Sequence, residues 1–283
     1  MNAPTRARPI LIAQISDLHI KPPGTFAYGK VDTAAALARC VAELNRFSPR
    51  PDLVVISGDL VDTPRQEEYD HLATLLAPLE IAFAAVPGNH DDRALMRAAL
   101  PDQPYAAPAG ALNLCRQVGD LDVLLLDSSV PGAPHGMLDA ATLAWLDATL
   151  AASRTRPALI FLHHPPFVTG IAHMDVQNLR DADALAAVLR RHPRTRLVAA
   201  GHVHRATLSV FGGVAATICP APNHAVALDL DARWPPSFKI EPPAFHLHVC
   251  FPGEGFGSVV THLVPIGEFA GPWPFRGGDG RLL

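Results

Sequence analysis

Residues 201–204 read "GHVH", two histidines one residue apart, directly after the apolar run "RLVAA". Comparable groups follow other apolar runs. Asp17 and His19 ("SDLHI") follow "ILIAQIS", and Asp59 ("SGDLVD") follows "DLVVIS". Asn89 and His90 ("PGNHDD") follow "IAFAAV", and His163 and His164 ("HHPPF") follow "ALIFL". Nitrogen and oxygen donors without sulfur suit divalent or trivalent cations such as Fe, Mn, Zn or Co. One cation takes about four to six ligands, so this set is too large for one and fits two. Two cations about 3.5–4 Å apart, bridged by a carboxylate, can clamp the attacking and the leaving oxygen of a phosphoryl transfer.

For these groups to meet, the runs before them must be strands whose carboxyl ends share one edge, where open α/β sheets bind ligands. The runs at 10–16, 52–57, 81–86, 158–162 and 196–200 read as buried strands. Helices are expected at 32–47, opened by Asp32 as N-cap, and at 65–78, 92–100, 139–151 and 181–191. Runs 111–118 and 121–127 read as a hairpin turning at Gly119 and Asp120. Shorter strands are expected near 206–211, 214–218 and 225–230. Glycines 58, 88 and 201 let the chain turn sharply beside a ligand. The alternation predicts a layered α/β core, taken as one domain over 1–230. After 230 the texture changes: "DARWPPSFKIEPPAF" carries four prolines in fifteen residues, followed by β-like runs at 244–251 and 258–264. Residues 231–283 are therefore expected to form a small cap or oligomerisation segment, through which the chain could assemble as a homo-oligomer.

Composition narrows the partners. The chain has 283 residues, a formal net charge of −4 and no Lys/Arg run of five, which argues against nucleic acid and anionic membranes. Cys40, Cys115, Cys219 and Cys250 are far apart and form no CxxC pair, so free thiols in a reducing compartment are expected. The opening "MNAPTRARPILIAQISDLH" has no signal-peptide pattern, and no apolar span reaches 18 residues. A cytoplasmic protein follows from that reading.

The ordered series D-x-H, G-D, G-N-H-D, H-H-P-P and G-H-x-H, spanning 17–204, resembles the calcineurin-like metallophosphoesterase superfamily. "YGKVDTAAALARCVAELN", "PRQEEYDHL" and "HHPPFVTGIAHMD" look like its bacterial class III cyclic-nucleotide phosphodiesterase and glycerophosphodiesterase branch. The resemblance implies an α/β fold, a four-layer α/β/β/α sandwich. It implies that Asp17, His19 and His204 bind one metal ion, that Asn89, His163 and His202 bind a second, and that Asp59 bridges both. His90 would stay off the metals as proton donor or transition-state stabiliser. The implied reaction is hydrolysis of a small phosphodiester, 3′,5′-cyclic AMP or a glycerophosphodiester, by attack of a metal-bound hydroxide. "GDLVDTP" lacks the Arg of the protein phosphatases, and Asp62 stands where purple acid phosphatases carry Tyr. A phosphomonoesterase, a nuclease and a nonenzymatic scaffold of the same fold are the alternatives.

Other polar residues have plainer readings. His71, His135, His192 and His262 receive no role, and His164 reads as a packing residue or a support behind the ligands. His246 and His248 share one strand face but are two ligands without a site. His224, in "PAPNHAV", resembles a substrate-side histidine of the glycerophosphodiesterases, or is a loop histidine. Arg205 is expected to face solvent rather than a phosphate. Asp91 and Asp92 read as helix caps, with Asp91 alternatively orienting His90 or a metal ligand. Met174 and Asp175 lie in a loop able to wall a pocket. Trp234 and Trp273 suit cap packing or substrate stacking.

Overall fold

The computed structural model describes residues 8–153, 155–251, 258–278 and 281. The start of the N-terminal stretch and parts of the expected C-terminal segment lie outside them. The chain opens with three parallel strands, β1 (Ile10–Ile15), β2 (Leu53–Ser57) and β3 (Phe83–Val86). They alternate with α1 (Thr33–Arg46), α2 (Gln66–Leu76) and α3 (Arg93–Ala99). A hairpin of β4 (Leu114–Val118) and β5 (Leu121–Leu126) follows, then β6 (Gly136–Met137), α4 (Ala140–Ala152), β7 (Ala158–Leu162), α5 (Ala172–Asp175) and β8 (Leu179–Arg180). Next come α6 (Ala182–Arg191), β9 (Thr195–Ala200), β10 (Thr207–Phe211), β11 (Val214–Ile218), β12 (Ala225–Val226), β13 (Phe238–Lys239), β14 (Ala244–Cys250) and β15 (Val259–Pro265). Helix starts at Asp32 and Asp92 are capped as the sequence suggests, and Asp139 adds a third cap. Asp32 accepts from Ala35 N, Asp92 from Ala94 N and Leu95 N, and Asp139 from Thr142 N.

Two large sheets form, in the orders β15-β14-β1-β2-β3 and β10-β11-β9-β7-β5-β4, beside the two-stranded pairs β12-β13 and β6-β8. Side chains alternate across a strand, so each sheet has two faces to bury. Leu11, Ala13, Ile15, Val54 and Ile56 pack on Leu37, Leu44, Tyr69, Leu72 and Met96 of α1–α3. Ile12 and Val55, on the opposite face, pack on Leu159, Phe161 and Leu197 of the second sheet. Ile160, Leu162 and Val198 turn outward onto Leu146, Leu150, Leu185 and Leu189 of α4 and α6. The result is the expected α/β/β/α order of layers. Among the described residues no helix is long and apolar enough to cross a membrane.

Three features depart from the sequence reading. Residues 244–265 do not stand apart as a cap. β14 pairs antiparallel with β1, Gln14 opposite His246, and β15 pairs with β14. The physical reason is that β1 would otherwise present an open edge of unpaired backbone groups. The run at 225–230 yields only β12, which pairs with β13 from the proline-rich stretch. Short α5, β6, β8 and β13 carry no periodic pattern long enough to read.

Candidate metal centre

The motif residues sit on tight turns at the carboxyl ends of the strands. Asp17, His19, Asp59, His202 and His204 all have positive φ, from 48° to 73°. This region is sparsely populated by non-glycine residues, and each such residue costs about 1–3 kcal/mol. Surrounding hydrogen bonds hold it: Asp17 N donates to Gly58 O at 3.0 Å, and His19 N to Asp59 O at 3.0 Å. Gly58 has φ +101°, and a Cβ there would run into the His163 ring. A Cβ on Gly88 would strike the Asp59 carboxylate.

The turns bring seven side chains into two overlapping groups. In the first, His19 Nε2 lies 3.2 Å from His204 Nε2, His204 Nε2 3.4 Å from Asp17 Oδ1, and His19 Nε2 3.5 Å from Asp59 Oδ2. In the second, His163 Nε2 lies 3.2 Å from Asn89 Oδ1, 3.2 Å from His202 Nδ1 and 3.3 Å from Asp59 Oδ2. Donors about 2.0–2.2 Å from one cation at roughly tetrahedral or octahedral angles stand about 3.0–3.5 Å apart, so both groups have ligand spacing. Asp17–His19–His204 and Asp17–Asp59–His163 each place three donor atoms within 4.8 Å of one another.

The far nitrogens set the rings. His163 Nδ1 donates to Ser57 O at 2.9 Å, and His204 Nδ1 to His224 O at 3.2 Å. A carbonyl only accepts, so these nitrogens carry a proton, and Nε2 is the nitrogen left to offer a lone pair to a cation once it carries no proton of its own. His19 Nδ1 lies 3.3 Å from Asp62 Oδ1, without the alignment of a full hydrogen bond. Asp17 accepts His202 N at 2.9 Å.

Charge and burial work against each other here. All seven residues but Asn89 are buried. Burial pushes the Asp17 carboxyl up to about 6, with His163 pulling the other way. Burial also raises Asp59, but His163, His90 and His19 outweigh it and hold this carboxyl well below the usual range. Burial lowers His163, yet the Asp59 carboxylate overcomes it and brings the imidazole up to about 9. His202 and His204 stay well below the usual imidazole value through burial. Without cations, a proton on His163 is what compensates the buried carboxylates. The donor types, their spacing and this electrostatic arrangement fit two cations.

His90 stands beside the groups. Its backbone N donates to Asp59 Oδ1 at 2.9 Å, and its Nδ1 donates to Asp62 O at 2.7 Å, so Nε2 is the atom available to a ligand. Asp62, read from sequence only as a missing tyrosine, also pairs with Lys21 at 2.8 Å. Asp92 caps α3, whereas Asp91 accepts Leu60 N, Gly88 N and Tyr69 Oη, tying the two motif turns together. His164 is fully buried and its Nδ1 lies 2.8 Å from Ser128 Oγ; it also belongs to a donor group with His163 and His202.

A cavity of about 290 Å³ opens over the cluster. His224 lines it, its ring centroid 4.5 Å from that of His204 and 5.3 Å from that of Tyr28. Burial, then His204 and His19, bring this imidazole down to about 2, so it is neutral. Tyr28 and Phe238 stack at 4.8 Å with 29° between planes, and His173, Met174 and Gln177 line the cavity from the α5 turn. Asp175 orders that turn by accepting Thr169 N and Gly170 N. Phe238, His173 and Gln177 carry no sequence signal, because what makes them neighbours of the cluster is tertiary. Arg205 does not face solvent: it donates to Glu241 Oε1 at 2.8 Å and Val226 O at 2.9 Å. Trp234 and Trp273 are exposed and do not line the cavity.

Comparison with known proteins agrees with this picture. Residues 10–206 match the family model described as calcineurin-like phosphoesterase. A probable glycerophosphodiester phosphodiesterase of Arcobacter nitrofigilis is 35% identical over 275 residues, covering 97% of this chain and 100% of that protein. The 3′,5′-cyclic adenosine monophosphate phosphodiesterase of Escherichia coli K12 is 33% identical over 69% of this chain and 70% of its own. Among solved structures, a dimetal phosphatase from Danio rerio superposes with a TM-score of 0.62 at 16% identity, covering 91% of this chain and 99% of that one. At that identity the likeness is one of fold.

Proposed function

Because the chain belongs to the calcineurin-like phosphoesterases, we propose that it is a two-cation hydrolase of a small phosphodiester. The observation that carries the proposal is the place of Asp59, whose Oδ2 lies 3.5 Å from His19 Nε2 and 3.3 Å from His163 Nε2. One carboxylate oxygen thus faces both donor groups. In this reading Asp17, His19 and His204 hold one cation, Asn89, His163 and His202 hold the other, and Asp59 bridges them. Fe, Mn, Zn and Co all suit such a donor set. Bound cations would neutralise phosphate charge and render water nucleophilic near neutral pH.

The chain's own residues supply the rest. His90, fixed through Nδ1 by the Asp62 carbonyl, directs Nε2 at the cavity; as the imidazolium, with a proton on both nitrogens, it would give the Nε2 proton to the leaving oxygen and return to the neutral form, or stabilise the transition state by a hydrogen bond. His224 offers a neutral imidazole to the ester's alcohol arm. Among the described residues, those lining the cavity include no Lys or Arg. A monoester dianion or a nucleic-acid strand gains from fixed cations around the metal pair; a diester monoanion needs fewer.

Two diesters remain. The stacked Tyr28 and Phe238 offer an aromatic face to a nucleobase, which favours a 3′,5′-cyclic nucleotide such as cyclic AMP. The end-to-end likeness to a probable glycerophosphodiester phosphodiesterase favours a glycerophosphodiester. Four free cysteines accord with work in a reducing cytoplasm.

Turnover by the metal-reconstituted protein tests this. Bis-p-nitrophenyl phosphate should be hydrolysed much faster than p-nitrophenyl phosphate, and a panel of cyclic nucleotides and glycerophosphodiesters should rank the natural class. Faster hydrolysis of the monoester would overturn the diesterase assignment.

A further inference from the structure

The layer between the two sheets is largely apolar, and a line of hydrogen-bonded polar side chains crosses it beneath the metal centre. Gln14, on β1, is fully buried there with Ser57 and His248. Its Nε2 donates to Ser57 Oγ at 2.8 Å, in the first sheet, and to Ala200 O at 3.1 Å, in the second. Its Oε1 lies 3.1 Å from His248 Nε2. The carboxamide's orientation follows from these partners: the Ala200 carbonyl can only accept, so the nitrogen faces it and the oxygen is left to accept from His248 Nε2–H. His248 Nδ1 then accepts the Thr261 hydroxyl at 2.8 Å. Every polar atom of this line has a partner, the condition under which a buried polar network orders its surroundings instead of weakening them.

What the line touches matters more than its satisfaction. Ser57 ends β2 and is followed by Gly58 and Asp59; its carbonyl accepts His163 Nδ1 at 2.9 Å. Ala200 ends β9 and is followed by Gly201, His202, Val203 and His204. Gln14 itself lies three residues before Asp17. A single carboxamide therefore bridges the strand ends that carry six of the seven donors: Asp17 and His19, Asp59 and, through Ser57, His163, and His202 and His204. The apolar faces around it, Ile12, Phe161 and Ala199 among them, can slide on one another without a directional preference. Directional hydrogen bonds cannot.

We propose that Gln14 is a positioning residue of the metal centre, setting the spacing between the Asp59 turn and the His202–His204 turn, and that His248 locks its carboxamide. This rests on the metal-centre reading above. Supports behind metal ligands change affinity by about 10–100-fold when removed.

The test is titration of the metal-stripped protein with Co²⁺, following stoichiometry, affinity and the visible absorption of the bound ion. Gln14→Leu keeps the volume and removes the bonds. It should bind at least one Co²⁺ about 10–100-fold more weakly and alter the absorption spectrum. His248→Phe, which leaves Gln14 Oε1 without a donor, should shift both readouts the same way. His248→Gln, which restores an N–H toward Gln14, should recover them. A Gln14→Leu protein that folds and binds two Co²⁺ with wild-type affinity and spectrum overturns the proposal. If Gln14→Leu does not fold, the His248 pair decides: equal behaviour of the Phe and Gln variants overturns it. Failure of the wild-type chain to bind two ions would instead overturn the metal-centre reading.

Discussion

The backbone carbonyl of Asp62 accepts a hydrogen bond from His90 Nδ1 at 2.7 Å. The bond presents Nε2 to the cavity; the imidazole belongs to a donor group with His19 and Asp62 but not to the two groups that meet at Asp59. His90→Ala should therefore retain metal content and slow turnover by about 10²–10⁴-fold. Elemental analysis beside steady-state kinetics checks this, and loss of metal would show that His90 is a ligand.

Asp62→Asn separates two functions of one residue. The carbonyl that holds His90 is unchanged, while the charge facing His19 Nδ1 and Lys21 is removed. Metal affinity should fall about tenfold, with kcat at saturating metal reduced far less than in His90→Ala. A kcat loss as large as that of His90→Ala, at full metal occupancy, would mean that the carboxylate acts on the reaction itself.

Asp59→Asn should weaken both cations and abolish turnover, because the amide cannot offer two cations an anionic oxygen. Asp59 faces His19 and His163 alike. Near-normal activity would refute the bridging role.

Stability of the metal-stripped chain should fall as pH rises from 6.5 through 9. Folded His163 holds its proton up to about 9, against 6.5 as the ordinary value. A raised folded pKa contributes stability that is complete below the unfolded pKa and lost as pH passes the folded one. Asp17, raised from 3.8 to about 6, acts with the same sign at lower pH, its contribution lost by about pH 6. Cations replace the proton on His163, so the metal-loaded protein should lose less, and metal affinity should rise over the same range. Thermal melts with and without chelator check this. A flat profile for the stripped protein would remove the proton from His163.

Truncation separates the two parts of the C-terminal segment. Ending the chain before β14 exposes the edge of β1 and removes Phe245 and Leu247 from the core, so soluble folded protein should not be recovered. Ending it after Glu268 leaves β15 and buried Ile266 in place and removes exposed Phe269, Trp273 and Phe275. That shorter protein should keep its fold and metal content. If the tail mediates assembly, size-exclusion chromatography should show a smaller species; an unchanged oligomer would end the idea that residues beyond 268 drive it.

Much of the site is legible in sequence because each piece is local. "SDLH", "SGD", "GNHD", "HHPP" and "GHVH" each lie within a few residues of a strand end, and strand ends are marked by apolar runs meeting glycine or a polar residue. The β-α alternation is local in the same way, and the helix caps at Asp32 and Asp92 are a single-residue signal.

Pairing between distant strands leaves no such mark. That β14 joins β1, so that His248 reaches Gln14 across 234 positions of chain, depends on which open edge the folded core presents. Phe238 meets Tyr28, and Asp62 meets His90, only once the turns are closed. Sequence by itself determined the kinds of donor, their order and the strands that bear them, since residue type and short spacing are properties of the chain. The tertiary structure alone decided which donors face one another, which nitrogen of each ring is turned inward, and what holds the two sheets in register, because those depend on hydrogen bonds between segments that meet only in the packed molecule.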